Sequence, residues 1–312
     1  MKLASDIVEM PDGTIAVPGG VAREIESAPS RLSDFYELTK PRMNFLVVIT
    51  TTVGFYMASL GAIDWVLMFH TILGTTLTAA GASVLNQWLE IDFDRLMPRT
   101  KDRPLPAGRL MPNEALVFGV VLGICGICYL ALFVNLLTSF LGAFTLLTYL
   151  GIYTPMKRVT SLNTIIGAVP GAVPPMMGFT AVEAVVSPGA LSLFVILFLW
   201  QMPHFLAIAT MYKDDYAKGG YKMLPVVDTA GDFTGRQIVL YGMALIPGSL
   251  MPFAFQLTGP VYALFAVVLG LGFLYTGIQA ARSHSRPDAR KLFFVSIIYL
   301  PVLLAVMMAD KR

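Results

Sequence analysis

The sequence predicts an all-α integral membrane protein of nine transmembrane helices, on three observations. Hydrophobic residues make up 56% of the 312-residue chain and charged ones only 13%, with a mean hydropathy of +0.69. A soluble domain carries roughly 25% charge, so this composition excludes a water-soluble fold. Apolar stretches recur along the chain, each close to the roughly 20 residues that a helix needs to cross the hydrocarbon core. The bases, finally, gather in alternate connecting segments, as they do in a multi-pass protein.

Residues 1–31 contain Gly, Pro and scattered charges, with neither a hydrophobic signal core nor an Arg-rich, acid-poor transit pattern. They are expected to form a flexible cytoplasmic tail, followed by a membrane domain over 32–312. Leu32–Arg42 should form a short amphipathic helix at the interface, where aromatic and basic residues are favoured. The spans follow at 43–62, 66–88, 114–134, 137–155, 163–181, 190–210, 237–256, 259–280 and 292–309. Only the Asn135 region separates the third from the fourth, which predicts a tight hairpin. Cys125 and Cys128 make a CGIC pattern inside an apolar span with no second pair, and are read as ordinary buried thiols. Gly119 with Gly123, and Gly167 with Gly171, have the spacing that lets membrane helices approach closely.

Orientation follows from the bases. With the N-terminus inside, the inner segments 1–42, 89–113, 156–162, 211–236 and 281–291 hold 20 of the 22 Lys and Arg residues. Lys311 and Arg312 alone fall outside. The positive-inside rule therefore predicts a cytoplasmic N-terminus, an outer C-terminus and a cell (inner) membrane location.

The chemistry-bearing stretch is NQWLEIDFDRLMPRTKDRP at 86–104, which ends a membrane-length apolar segment. Asn86, Glu90 and Asp94 recur every four residues and share one helix face, with Asp92 turned elsewhere. A second acidic patch, Asp214 and Asp215 in KDDY, follows another apolar segment. Carboxylates at matching ends of two helices suit Mg²⁺, a hard cation that takes oxygen ligands and keeps contact with phosphate. The candidate ligands are Asn86, Glu90, Asp92, Asp94, Asp214 and Asp215. Bases stand beside them: Arg99, Lys101 and Arg103 after the first cluster, Lys157 and Arg158 after the fourth span, Lys213 at the second cluster. Arginine forks and lysine point charges together suit a diphosphate, with Arg103 and Lys157 favoured for catalysis and Arg109 for topology. His204 follows Pro203 in the sixth span, where a proline frees a backbone carbonyl and an imidazole needs a partner. Asn163, Tyr149, Tyr153 and Phe205 complete a candidate acceptor pocket.

The motifs TKPRM at 39–43, the 86–109 run, RTKDRPLP at 99–106, YTPMKR at 153–158, NTIIGAVPGAVPPMMG at 163–178, WQMPHFLAIA at 200–209 and DDYAKGGYKMLPV at 214–226 together resemble the UbiA-type intramembrane prenyltransferases, in the branch that farnesylates haem. The resemblance runs from about residue 35 to 309. It implies a nine-helix bundle with a central cavity open to the cytoplasmic side and Mg²⁺ dependence. It further implies transfer of farnesyl from farnesyl diphosphate to a vinyl group of haem B, the haem being substrate, and His204 as a haem-side group. Its implied partners are the lipid bilayer and the haem A synthase or oxidase assembly machinery that serves haem–copper oxidases, with no nucleic acid. Two departures stand out: Glu90 where Asp is usual, and adjacent Asp214 and Asp215 where the family's second motif is more widely spaced. A quinone precursor or chlorophyll-type ring as acceptor, or a secondary transporter, are the alternative functions.

Overall fold

The computed structural model describes residues 8–9, 15–16 and 30–312. Val8–Glu9 and Ile15–Ala16 pair antiparallel; the remainder of the expected tail lies outside the described residues. The other elements are helical: α1 (Arg31–Leu38), α2 (Pro41–Ala58), α3 (Trp65–Leu89), α4 (Ile91–Asp94), α5 (Pro112–Phe133), α6 (Leu136–Thr148), a π-helical turn (Tyr149–Tyr153), α7 (Thr154–Met156), α8 (Asn163–Glu183), α9 (Pro188–Met211), α10 (Lys213–Lys218), α11 (Leu224–Val227), α12 (Asp232–Ala254), α13 (Pro260–Ser283) and α14 (Arg286–Ala309). This is a multi-pass membrane protein.

Local chemistry sets the boundaries. Ser30, Asp64, Asn135, Ser187 and Ser285 each accept a backbone N–H three residues on, satisfying a donor that the first helical turn leaves free. Proline opens α2, α5, α9 and α13, where its missing N–H costs nothing. The single helix expected over 32–42 is instead two. The chain breaks at Thr39, Lys40 adopts a left-handed φ of 49°, and Pro41 starts α2.

Eight runs among the described residues are long and apolar enough to cross a membrane: α3, α5, Leu136–Met156, α8, α9, α12, α13 and α14. The remaining expected span is α2, whose first turn carries Arg42 and Asn44 and lowers its apolarity. It packs tightly all the same. A Cβ on Gly54 would lie 2.0 Å from the Pro175 carbonyl oxygen, and one on Gly178 would lie 1.9 Å from that of Thr51. Only glycine permits such an approach, and Thr51 Oγ1 donates to the Pro174 carbonyl across it at 3.2 Å. The expected α5–α6 hairpin forms: Asn135 caps α6 and its Nδ2 also donates to the Thr180 carbonyl at 2.8 Å. A Cβ on Gly81 of α3 would meet Gly123 N at 2.5 Å, so the Gly119/Gly123 pair does seat a neighbouring helix.

Helix α8 is the centre of the bundle, with 67% of its apolar window buried against 22% for α5. Apolar side chains such as Val117, Ile124, Leu132, Leu264 and Leu271 point outward, as they must where the solvent is lipid. Cys125 and Cys128 share that outer face; they are free and exposed, not buried. Lys311 has a packing role: its ammonium donates to the Tyr56 and Ser59 carbonyls at the end of α2, the favourable place for a cation.

Candidate active site

Helix α3 ends at Glu90, and α4 turns the chain so that one buried face carries Asn86, Glu90 and Asp94. Asn86 Nδ2 donates to Glu90 Oε2 at 3.0 Å and to Thr154 Oγ1 at 3.2 Å, the latter reaching from α7. Glu90 Oε1 accepts from Lys157 Nζ at 2.8 Å, and Asp94 Oδ2 from Arg103 at 2.7 Å. The two ion pairs lock the loop after α7 onto the end of α3 and the loop after α4 back onto α4. Burial alone would raise the Glu90 carboxyl, but the Lys157 ammonium, by charge and by hydrogen bond, holds it below the usual range. Lys157 is pushed up reciprocally: Glu90 outweighs the burial that would lower it. The π-helical turn before α7 places the Tyr153 ring 4.7 Å from the Lys157 ammonium and stacks Tyr149 beside it at 5.4 Å.

Two further residues, absent from the sequence-derived set, belong to this cluster. Lys40, in its left-handed conformation, donates from Nζ to Asn86 Oδ1 at 2.9 Å. Burial, then repulsion from Arg103, pulls its pKa down to about 7 despite attraction from Glu90. Tyr221 sits in the loop after α10, buried, and the charges of Glu90 and Asp94 add to burial in driving its pKa up. The signals for Lys40 were its place before Pro41 at the start of a span and its membership of the TKPRM motif. Tyr221 lies inside the DDYAKGGYKMLPV motif, but no charge or helical period there singles it out.

Several expected residues lie elsewhere. The Asp92 side chain is 84% exposed and pairs with Arg95 at 3.3 Å, because it projects from the opposite side of α4. Asp214 is exposed and pairs with Arg286 at the start of α14, whereas Asp215 is partly buried and has no ion-pair partner among the described residues. Lys213 lines a different cleft, with Asp228, His284 and Arg286. Arg99 lies over the rings of Tyr212 and Tyr216 at 4.9 and 5.5 Å, and Arg158 over Phe93 at 4.2 Å. Both are exposed, as is Lys101. Arg109, read as a topology signal, is a clamp: it pairs with buried Asp34 at 2.8 Å and Glu37 at 3.1 Å, holding α1 against the α4–α5 loop.

The Asn163 amide is taken up within the protein rather than facing an open pocket. Its Nδ2 donates to the Thr160 and Lys222 carbonyls at 2.6 and 3.1 Å, tying the α7–α8 loop to the Tyr221 loop. His204 is stacked between Trp200 and Phe293, and tilted against Phe205 at 5.6 Å, on the α14 side of α9. Its Nδ1 is 2.7 Å from Ser296 Oγ, which itself donates to the Phe293 carbonyl at 2.5 Å. A hydroxyl has one proton to give, so the network assigns the His204 proton to Nδ1 and leaves a lone pair on Nε2. The partner that this imidazole needs is therefore already supplied by Ser296.

Among the described residues no three Asp, Glu, His or Cys side chains converge closely enough to enclose a metal by themselves. The clustered oxygens are the Asn86 amide and the Glu90 and Asp94 carboxylates, with half-buried Asp215 the candidate from the second segment. That set fits Mg²⁺, which typically takes one or two carboxylates and completes its shell with water and substrate phosphate. The charges concentrate at one end of the helices, where a transporter would place them near the midplane.

Residues 47–298 match the UbiA prenyltransferase family. The chain belongs to that family. A protoheme IX farnesyltransferase of Solibacter usitatus (strain Ellin6076) is 46% identical over 289 residues, covering 90% of this chain and 99% of that protein. One from Myxococcus xanthus (strain DK1622) is 43% identical, covering 92% and 97%. Among solved structures, a digeranylgeranylglyceryl phosphate synthase matches with a TM-score of 0.73 at 20% identity, over 89% of this chain and 98% of that one. A UbiA homologue from Archaeoglobus fulgidus, bound to DMAPP and Mg²⁺, matches at 0.66 and 14%, over 88% and 99%. At such identities these two establish the UbiA fold and nothing finer.

Proposed function

We propose that this chain transfers the farnesyl group of farnesyl diphosphate to a vinyl group of haem B, with addition of water, to make haem O for haem–copper oxidases. The observation that carries the donor half is the buried cluster of Lys40, Arg103 and Lys157 against Asn86, Glu90 and Asp94 at the end of apolar helices. The acceptor half is supported by farnesyltransferase relatives that span nearly the whole chain.

Asn86, Glu90, Asp94 and Asp215 would hold Mg²⁺, an ion that the A. fulgidus homologue binds together with DMAPP. When bound, the ion supplies charge neutralisation that makes diphosphate a better leaving group. Arg103, Lys157 and Lys40 would take the remaining phosphate charge, with Arg99, Lys101 and Arg158 at the mouth. The allylic C–O bond breaks with its electron pair leaving on diphosphate. The vinyl π pair forms the new C–C bond, water adds to the resulting porphyrin-side cation, and a proton is released. The rings of Tyr149 and Tyr153 shield the farnesyl cation from early capture by water. His204, with its Nε2 lone pair, would serve haem iron better than a propionate, which needs a donor.

Purified protein incubated with farnesyl diphosphate, haem B and Mg²⁺ should yield haem O by mass, and EDTA should stop the reaction until Mg²⁺ is restored. A prenylated quinone precursor or chlorophyll-type ring, formed in preference to haem O, would overturn the acceptor. In the same preparation, His204→Ala should weaken the haem Soret change more than farnesyl diphosphate binding; equal losses would remove its haem role.

The base distribution supports a cytoplasmic N-terminus, an outer C-terminus and both acidic segments inside, where diphosphates are made. A reporter active only outside should respond after Arg312 or near Glu183 and stay silent near Gly108 or Gly219. The reverse pattern would exclude a cytoplasmic diphosphate donor.

A further inference from the structure

We propose that the Tyr221 hydroxyl is a diphosphate-binding donor of this site, an inference that rests on the transferase reading above. Tyr221 is only 4% exposed, and its hydroxyl, which lies beside the Glu90 carboxylate, completes no hydrogen bond of good geometry. A buried hydroxyl left unpaired is a cost that a phenylalanine of the same shape would avoid. Two threonines, Thr75 and Thr258, share this condition, but Thr75 lies inside α3 and Thr258 beside the outer end of α13. Only Tyr221 lies among the charges of the site.

Its ring is fixed from several sides. Phe93 packs at 6.2 Å, Tyr216 stands edge-on at 6.1 Å, and the Lys157 ammonium lies 5.8 Å from the ring centroid. The backbone is fixed as well: Lys222 N donates to the Lys157 carbonyl at 2.8 Å, and Tyr221 N to that of Tyr216 at 2.9 Å. A side chain held this firmly does not swing to a distant partner. Glu90 Oε1 receives Lys157, Glu90 Oε2 receives Asn86 and Asp94 Oδ2 receives Arg103, and none of these oxygens completes a hydrogen bond with the phenol. A ligand that brings new anionic oxygens into a cluster of three cations would satisfy it. A prenyl diphosphate does so, and no proton needs to leave the tyrosine.

The test compares full-length wild type with Tyr221→Phe in detergent, by thermal unfolding with and without farnesyl diphosphate and Mg²⁺ and by farnesyl diphosphate and haem affinity. The variant should match or exceed wild-type stability without ligand, show a smaller ligand-induced stabilisation, bind farnesyl diphosphate about 10-fold more weakly, and bind haem B as before. Lower stability without ligand, or failure to insert, would make the hydroxyl structural and overturn the proposal. So would unchanged farnesyl diphosphate affinity in a variant whose wild type is stabilised. If the wild type itself gains no stability from farnesyl diphosphate with Mg²⁺, the transferase reading falls, and this inference with it.

Discussion

Asp94→Ala should lower haem O formation by more than about 100-fold, while Asp92→Ala, two residues away, should leave it near wild type. Asp94 is buried on the face shared with Asn86 and Glu90, and its carboxylate orients Arg103 at 2.7 Å. Its loss removes a proposed oxygen ligand and releases a proposed phosphate-binding arginine together. The protein should remain inserted, because Arg103 is 29% exposed and water can solvate it once unpaired. Asp92 makes only an exposed pair with Arg95, and such pairs contribute between about 0 and 1 kcal/mol. The second segment should behave alike, with Asp215→Ala inactive and Asp214→Ala active. Product formed at a near-normal rate by Asp94→Ala in saturating Mg²⁺ would remove the role assigned to it. Equal losses in all four variants would point to general misfolding.

Lys157→Met should be the most destabilising single change at the site. Glu90 and Lys157 are 8% and 13% exposed, so removing the ammonium leaves a carboxylate buried without its cation. Breaking a buried pair in this way costs about 3–5 kcal/mol. Replacing both partners, Glu90→Gln with Lys157→Met, should recover much of that stability, because no lone charge is left behind. Activity should not return, since the proposed ligand and the phosphate-binding cation are then both gone. Thermal unfolding of the two single variants and the double variant gives the coupling directly. Additive losses would mean that the pair contributes nothing as a pair, and a double variant with full turnover would dismiss both residues from the chemistry.

How much of this was legible beforehand can be judged residue by residue. The stripe of Asn86, Glu90 and Asp94 was readable because a helical period of four residues is a local property, and the Asn86–Glu90 hydrogen bond confirms that shared face. The Asn135 hairpin was readable for the same reason: a capping residue between two apolar runs acts on its own neighbours. The short helix at 32–42 was misjudged at one point only, Lys40, where a left-handed residue before proline ends one helix and begins the next. The thiols of Cys125 and Cys128 were expected inside because apolar residues usually are; in a membrane an apolar face can equally point to lipid.

The sequence by itself determined membrane insertion, the helix inventory and the presence of acids and bases at helix ends, because hydropathy, period and capping are set by residues close together in the chain. Only the tertiary structure decided which charges meet. Glu90 and Lys157 are 67 positions apart, Lys40 and Asn86 are 46 apart, and Asn163 and Lys222 are 59 apart. It also separated residues that composition treats alike, turning Asp94 inward and Asp92 outward, and leaving Asp215 half-buried while Asp214 is exposed and pairs with Arg286. A buried charge is tolerated only where a distant segment brings its counter-charge, and that depends on helix packing, which no local pattern encodes.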